Sequence, residues 1–295
     1  MPPAERRALF ALVLATLLWG ATFVVIRDAL SGLPPLPLVF GRFVVAAALL
    51  WLALAVLGLR PDRETWRGGA ASGALGACAY LFQAIGLEHT AAGTSAFLTS
   101  AGSLCAGLFA WPLLGQRPGR VLAEGLLLAF LGSALLSLDA RAALGGGERW
   151  TLAGALLFGL QIVVLARVAP RTNALALAAV QALVLALVLA PFAIGRLDAF
   201  RSRDAATWLR FLYLAVPAGA LAPLLQVVAQ RTLAPGRVGL LLALEPVFAL
   251  LFALTLGGER FVPRWWIGAA LILTAVWRVE GHAARATRTH RRATS

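Results

Sequence analysis

The 295-residue sequence predicts an all-α, polytopic integral membrane protein in which ten transmembrane helices form two inverted five-helix repeats. Three observations carry that expectation. The second half of the chain repeats the first, the composition is too apolar to cover a water-facing surface, and the apolar runs divide into ten lengths of bilayer-crossing size.

The duplication is direct. Residues 81–132 align with 224–275 without a gap, at a constant offset of 143. Gln83 falls on Gln226, Gly93 on Gly236, Leu108-Phe109-Ala110 on Leu251-Phe252-Ala253, and Gly125 on Gly268. A looser register with an offset of 139 puts Trp19-Gly20 on Phe158-Gly159 and Arg42 on Gln181. The chain therefore divides into a first repeat over residues 1–140, a second over 148–281, and a basic tail over 282–295. A repeat at fixed spacing defines a fold more firmly than any single residue. When each half crosses a bilayer an odd number of times, the second half is inverted, the construction of many secondary transporters. Composition agrees: 60% of residues are hydrophobic and only 13% charged, against about 25% charged in soluble domains.

The spans fall near 8–27, 37–57, 69–87, 93–113, 119–138, 149–168, 173–194, 208–230, 238–256 and 264–280. Each approaches the roughly 20 residues that a spanning helix needs. Connections such as 60–64, 115–119 and 167–173 are too short to hold a catalytic domain. Polar groups at membrane depth are costly and face the bundle interior or a water-filled path, so they mark the candidate site. The first span offers Trp19 and Thr22, and its repeat partner, the sixth, offers Phe158 and Gln161. The second has Arg42 and the seventh Gln181 in the same register. The third has Tyr80 and Gln83; the eighth has Gln226 and Gln230. These residues are expected to line a cavity between the halves. For each the alternative is packing or interhelical hydrogen bonding, and for Arg42 it is snorkelling to the headgroups.

In the fifth span, Gly125, Ala129 and Ser133 at four-residue spacing form a close-packing face, within the bundle or in a homodimer. Pro217 and Pro223 in the eighth span and Pro246 in the ninth are expected to kink their helices and free backbone carbonyls. Glu245, beside Pro246, is the carboxylate most suited to carry a proton; alternatively it neutralises Arg237 or caps the backbone that Pro246 frees.

All 26 basic residues are Arg. With the N-terminus in the cytoplasm, 16 fall on that side and nine on the other, while Arg42 lies inside a span. That bias places both termini in the cytoplasm. The net charge of +13 is dispersed over loops; only the tail forms a run, which suits anionic lipid rather than nucleic acid. Cys78 and Cys105 lie inside spans and belong to no ligand cluster, so they are expected to be inert. Three histidines, His89, His282 and His290, are too scattered to hold a metal. Gly145-Gly146-Gly147 follows no strand and is read as a link between the halves, not a phosphate cradle. No cofactor is expected, and no converging nucleophile, base or metal set points to an enzyme.

Leu18-Trp19-Gly20-Ala21-Thr22-Phe23, Arg42-Phe43 after a proline-rich loop, and Leu244-Glu245-Pro246-Val247 followed by Leu256-Gly257-Gly258-Glu259-Arg260 resemble the drug/metabolite transporter superfamily, EamA-like branch. The resemblance covers residues 8–280. It departs from the family pattern in the first half, where Ser103 stands opposite Pro246 and Gln116 opposite Glu259. It implies a ten-helix transporter of the inner membrane, often an exporter, for a small metabolite, amino acid or drug-like solute. Alternating access, with protons as a candidate coupling ion, is the leading expectation. A passive facilitator or channel, and a non-transporting receptor or embedded enzyme, are the alternatives.

Overall fold

A computed structural model of the chain describes residues 2–30, 33–90, 92–137, 145–201, 204–256 and 262–294. Among the described residues the chain is helical and contains no strand. The Gly257–Arg260 end of the ninth-span motif lies outside the described residues, whereas the Gly145-Gly146-Gly147 link is described and is a correction: Gly146 and Gly147 are already helical.

The first repeat consists of α1 (Pro3–Leu30), α2 (Pro35–Val56), α3 (Arg63–Leu87), α4 (Ala92–Leu114) and α5 (Arg120–Ser137). The second begins with α6 (Gly146–Val168) and α7 (Ala174–Ala193). Its third member is broken: α8 (Ala205–Ala215) passes through a π-helical turn, Pro217–Leu221, into α9 (Ala222–Gln230). Its fourth is broken too, into α10 (Pro235–Leu242) and α11 (Glu245–Thr255). The last helix, α12 (Pro263–Thr294), runs without interruption into the basic tail.

Local sequence sets the helix starts. Asp62, Asn173 and Asp204 cap α3, α7 and α8, accepting the backbone N–H of Thr65 at 2.7 Å, Ala176 at 3.1 Å and Thr207 at 2.9 Å. The Thr65 hydroxyl and N–H hold the Asp62 carboxyl below the usual carboxylate range, and Thr207 does the same for Asp204. Prolines open α2 and α10, where a missing N–H leaves no helical bond unmade.

Ten apolar runs divide the sequence, and eight of the corresponding segments are long and apolar enough to cross a bilayer. The other two are α5 and α12. The first carries Arg120 and Glu124 in its opening turns; the apolar stretch of the second lies between Arg264 and Arg278-Val279-Glu280. These two helices pack on each other. Gly125 lies against Val279, and Gly132 against Gly268 and Ile272, so the partner number falls as the helix number rises and the pair is antiparallel. The fourth members behave alike, with Ser103 against Gly239 and Gly107 against Gly236. Repeat-equivalent helices running antiparallel are the signature of an inverted duplication.

The halves interleave. α6 packs on α3 and α4, while α1 packs on α9 and α11, the equivalents of those two. α2 lies against its own equivalent, α7. Small residues permit these approaches. A methyl on Gly20 would stand 2.5 Å from the Phe248 side chain, and one on its equivalent Gly159 would stand 2.6 Å from the Gly102 carbonyl. The small face of α5 is spent inside the bundle: Ala129 and Ser133 are fully buried, and the Ser133 hydroxyl lies 3.3 Å from that of Ser100 on α4.

Candidate functional site

A cavity of about 180 Å³ lies between the repeats. Each of the eight bilayer-length segments contributes to its wall; α5 and α12 do not. On the α1 and α6 side, Trp19 and Thr22 line it together with their repeat equivalents Phe158 and Gln161. Arg42 and Gln181, Gln83 and Gln226, and Tyr80 also line it. Nine of the ten amide, aromatic, hydroxyl and guanidinium side chains marked in the sequence thus reach one space. Gln230 is the correction. One turn beyond Gln226, it falls below the cavity floor, where its Nε2 donates to the Ile162 carbonyl at 2.7 Å.

Three prolines were expected to kink helices, and their surroundings differ. Pro223 lines the cavity; Pro217 and Pro246 do not. Pro217 opens the π-helical turn. In that turn the Ala222 N–H reaches back to the Pro217 carbonyl, and the next residue, Pro223, has no N–H to offer. The Ala218 carbonyl is thereby left to side chains. The Trp19 indole donates to it at 3.0 Å and the Arg42 Nη2 at 2.9 Å. Pro246 is the second residue of α11, just past the break that follows Leu242. Glu245 opens α11 and enters the cavity there.

Arg42 does not snorkel. It is 5% exposed and sits 5.0 Å from the Phe43 ring centroid and 5.5 Å from that of Tyr80. Gly219 makes its place: a methyl there would lie 2.9 Å from the Arg42 Cγ. Tyr80 in turn meets Phe158 edge-to-face at 4.9 Å. Glu245 does not neutralise Arg237. That guanidinium holds Glu5 of α1 at 2.6 Å and binds both carboxylate oxygens of Glu280 on α12. The three side chains are 13–18% exposed.

The hydroxyl wall of α4 escaped the sequence reading. Ser95, Thr99 and Ser103 follow one face into the cavity. Gln83 donates to the Thr99 hydroxyl at 2.8 Å, which itself donates to the Ser95 carbonyl at 2.9 Å. Four-residue spacing of hydroxyls was the available signal.

The lining also gives the cavity a direction. Leu87 ends α3 and Ser95 lies in the first turns of α4, so the cavity extends toward the face opposite the chain termini. Toward the terminal face the lining reaches Leu242, seven residues into α10, or about 10 Å from that helix's start, and Gln226, about one turn from the end of α9. The Arg237–Glu5–Glu280 cluster lies nearer the start of α10 and does not line the cavity.

The EamA-like transporter family model matches this chain twice, over residues 6–138 and 146–279. The chain belongs to the EamA-like transporter family. This EamA-like protein is 30% identical over 267 residues to an archaeal protein described as a transporter, from Archaeoglobus fulgidus, covering 90% of this chain and 83% of that one. It is also 30% identical over 159 residues to a protein of Streptantibioticus cattleyicolor named a probable terminal-alkyne amino-acid exporter, covering 53% and 52% of the two chains. A solved crystal structure shares the fold, with a TM-score of 0.79 at 22% identity over 94% of this chain and 98% of the other. The two family matches coincide with the two halves whose equivalent helices run antiparallel. The EamA-like chain is a multi-pass membrane transporter.

Proposed function

We propose that this transporter is a secondary carrier that exports a small solute by alternating access, with the cavity between the repeats as its binding site. In this reading α5 and α12 cross the membrane as a peripheral pair, making ten spans. The protein lies in the inner membrane with both termini cytoplasmic, as the Arg distribution favours. The repeats 1–140 and 148–281 are the two moving units.

One observation supports the reading: the lining runs to the ends of α3 and α4 on the face away from the termini and stops at Leu242 and Gln226, short of the terminal face. We read Leu242 and the Arg237–Glu5–Glu280 cluster as the closure on the terminal side. A channel needs a continuous path, whereas a carrier needs one open side at a time. An inverted duplication supplies the second state, because the conformation of one repeat can be adopted by its upside-down copy. The breaks between α8 and α9 and between α10 and α11 provide places to bend. Export is supported by the name of the second relative.

Glu245 is the proposed proton carrier, as a carboxylate at a helix break within the cavity. Its loading is coupled to transport if the two access states surround it differently. Reconstitution tests the scheme. Comparative metabolomics of cells with and without the protein supplies the solute, and flux of that solute into proteoliposomes is then measured. Saturable flux that counterflow accelerates is expected, with a pH–rate profile that Glu245→Gln flattens. Flux that rises linearly with concentration contradicts a carrier, and an unchanged profile in Glu245→Gln removes the proton role.

A further inference from the structure

The geometry points to Arg42 as the receptor for a carboxylate on the transported solute, and to a zwitterionic solute whose ammonium group faces Glu245. The inference deepens the carrier reading above and rests on it.

Arg42 is a charge placed where a charge is expensive. A guanidinium inside a span, 5% exposed, normally finds a carboxylate or several acceptors. Here Nη2 has the Ala218 carbonyl, and Nε has no partner among the described residues although it is buried. The neighbouring rings of Phe43 and Tyr80 offer their π faces, which favour a cation but give Nε no acceptor. Glu245 lines the same cavity, and no ion pair joins it to Arg42. Among the described residues the cavity lining therefore holds one cation and one carboxylate, not paired with each other.

A solute with a single charge satisfies one of these groups and is repelled by the other. A solute carrying a carboxylate and an ammonium satisfies both. The guanidinium fork suits a carboxylate in particular, because two N–H groups can meet two oxygens. Its aim is fixed beforehand. The π-helical turn and Pro223 leave the Ala218 carbonyl free to hold Nη2, and Gly219 leaves space for the side chain. A fixed guanidinium loses little freedom when the solute arrives.

The test uses the full-length protein in detergent and measures binding of the standard L-amino acids, their methyl esters and their N-acetyl derivatives by intrinsic tryptophan fluorescence and thermal stabilisation. At least one amino acid is expected to bind. Its ester and its N-acetyl form are each expected to bind about tenfold more weakly or worse, the loss of one charge-assisted hydrogen bond. Arg42→Lys keeps the charge and removes the fork, and it should erase most of the preference for acid over ester. Gly219→Ala, which crowds Arg42 without replacing it, should reduce that preference as well. The assignment is overturned if no amino acid binds, if acid and ester bind equally to the unaltered protein, or if Arg42→Lys keeps the preference. The acid-to-ester comparison requires no variant, so misfolding cannot mask it. Failure here leaves the carrier reading standing, because that reading is judged by which face reaches the cavity.

Discussion

The two repeats descend from one pattern but contribute different chemistry. In the first, α3 and α4 are unbroken and present side chains: Tyr80, Gln83, Thr99 and Ser103. In the second, the equivalent helices are interrupted: they present Gln226 and the carboxylate of Glu245, and they free the Ala218 carbonyl to hold Trp19 and Arg42. The 143-residue register makes the cause explicit. Pro223 stands where the first repeat has Tyr80, and Pro246 where it has Ser103. At each place the half with proline loses a helical hydrogen bond and the half without it gains a lining side chain. A duplicated fold has thereby given its cavity two unlike walls while keeping the symmetric packing that positions them.

That contrast predicts asymmetric tolerance of proline. Ser103→Pro should be the most damaging change. It removes an N–H from the middle of the continuous α4 and drives a ring against the Thr99 carbonyl, at about 3 kcal/mol or more. Ser103 also packs against Gly239, which leaves little space to relax. Expression and size-exclusion profiles should show loss of folded protein. Pro246→Ser, the reverse exchange, should leave the fold intact and lower flux, because a helix continuous through Glu245 moves that carboxylate out of its place. Equal yields for the two variants would show that the breaks are not set by the prolines.

Arg237 tests the closed side. Arg237→Ala leaves Glu5 and Glu280 facing one another without their cation. Because the side chains keep 13–18% exposure, the expected loss is about 2 kcal/mol, below the 3–5 of a fully buried pair. Denaturation in micelles would measure it. The same variant should increase labelling of a cavity cysteine from the terminal face, and unchanged labelling would place the closure at Leu242 alone.

The smallest effect concerns a feature that the repeats share. Asp62 and Asp204 cap equivalent helices on opposite faces, each bonded to the threonine three residues on. Both carboxyls are held below the usual range in the folded protein. Their contribution is therefore complete above the unfolded carboxylate value of about 4 and fades as pH falls through the lower folded value. Hydrogen exchange at the Thr65 and Thr207 amides should quicken by similar factors in Asp62→Ala and Asp204→Ala at neutral pH, and the difference from the unaltered protein should shrink in acid.

Much of this was legible in the sequence, for physical reasons. Apolar length marks spans, and duplication at fixed offsets marks equivalent depths, so Trp19 with Phe158 and Arg42 with Gln181 could be paired before any coordinates. Gln230 misled because residues four apart share a helix face, and periodicity does not say where along that face a cavity ends. Ser95, Thr99 and Ser103 were passed over because a hydroxyl in a helix can bond its own backbone, as Thr99 does; polarity alone did not single them out. The prolines announced kinks, but which carbonyl they would free depends on the π-helical turn. Pro217 and Pro223 bracket that turn, but a proline pair alone does not distinguish a π-helical turn from an ordinary kink.

Two-sided accessibility of one cavity is the most direct measurement. On a background lacking Cys78 and Cys105, Thr22→Cys in the first repeat and Gln161→Cys in the second would be exposed to membrane-impermeant thiol reagents from each face of proteoliposomes in turn. Both should react from the face opposite the termini in the present state. Transported solute should protect both, and a drive toward the other state should move both to reaction from the terminal face. Reaction of either cysteine from both faces at once, or of one repeat's cysteine without the other's, would contradict a single cavity opened alternately between the halves.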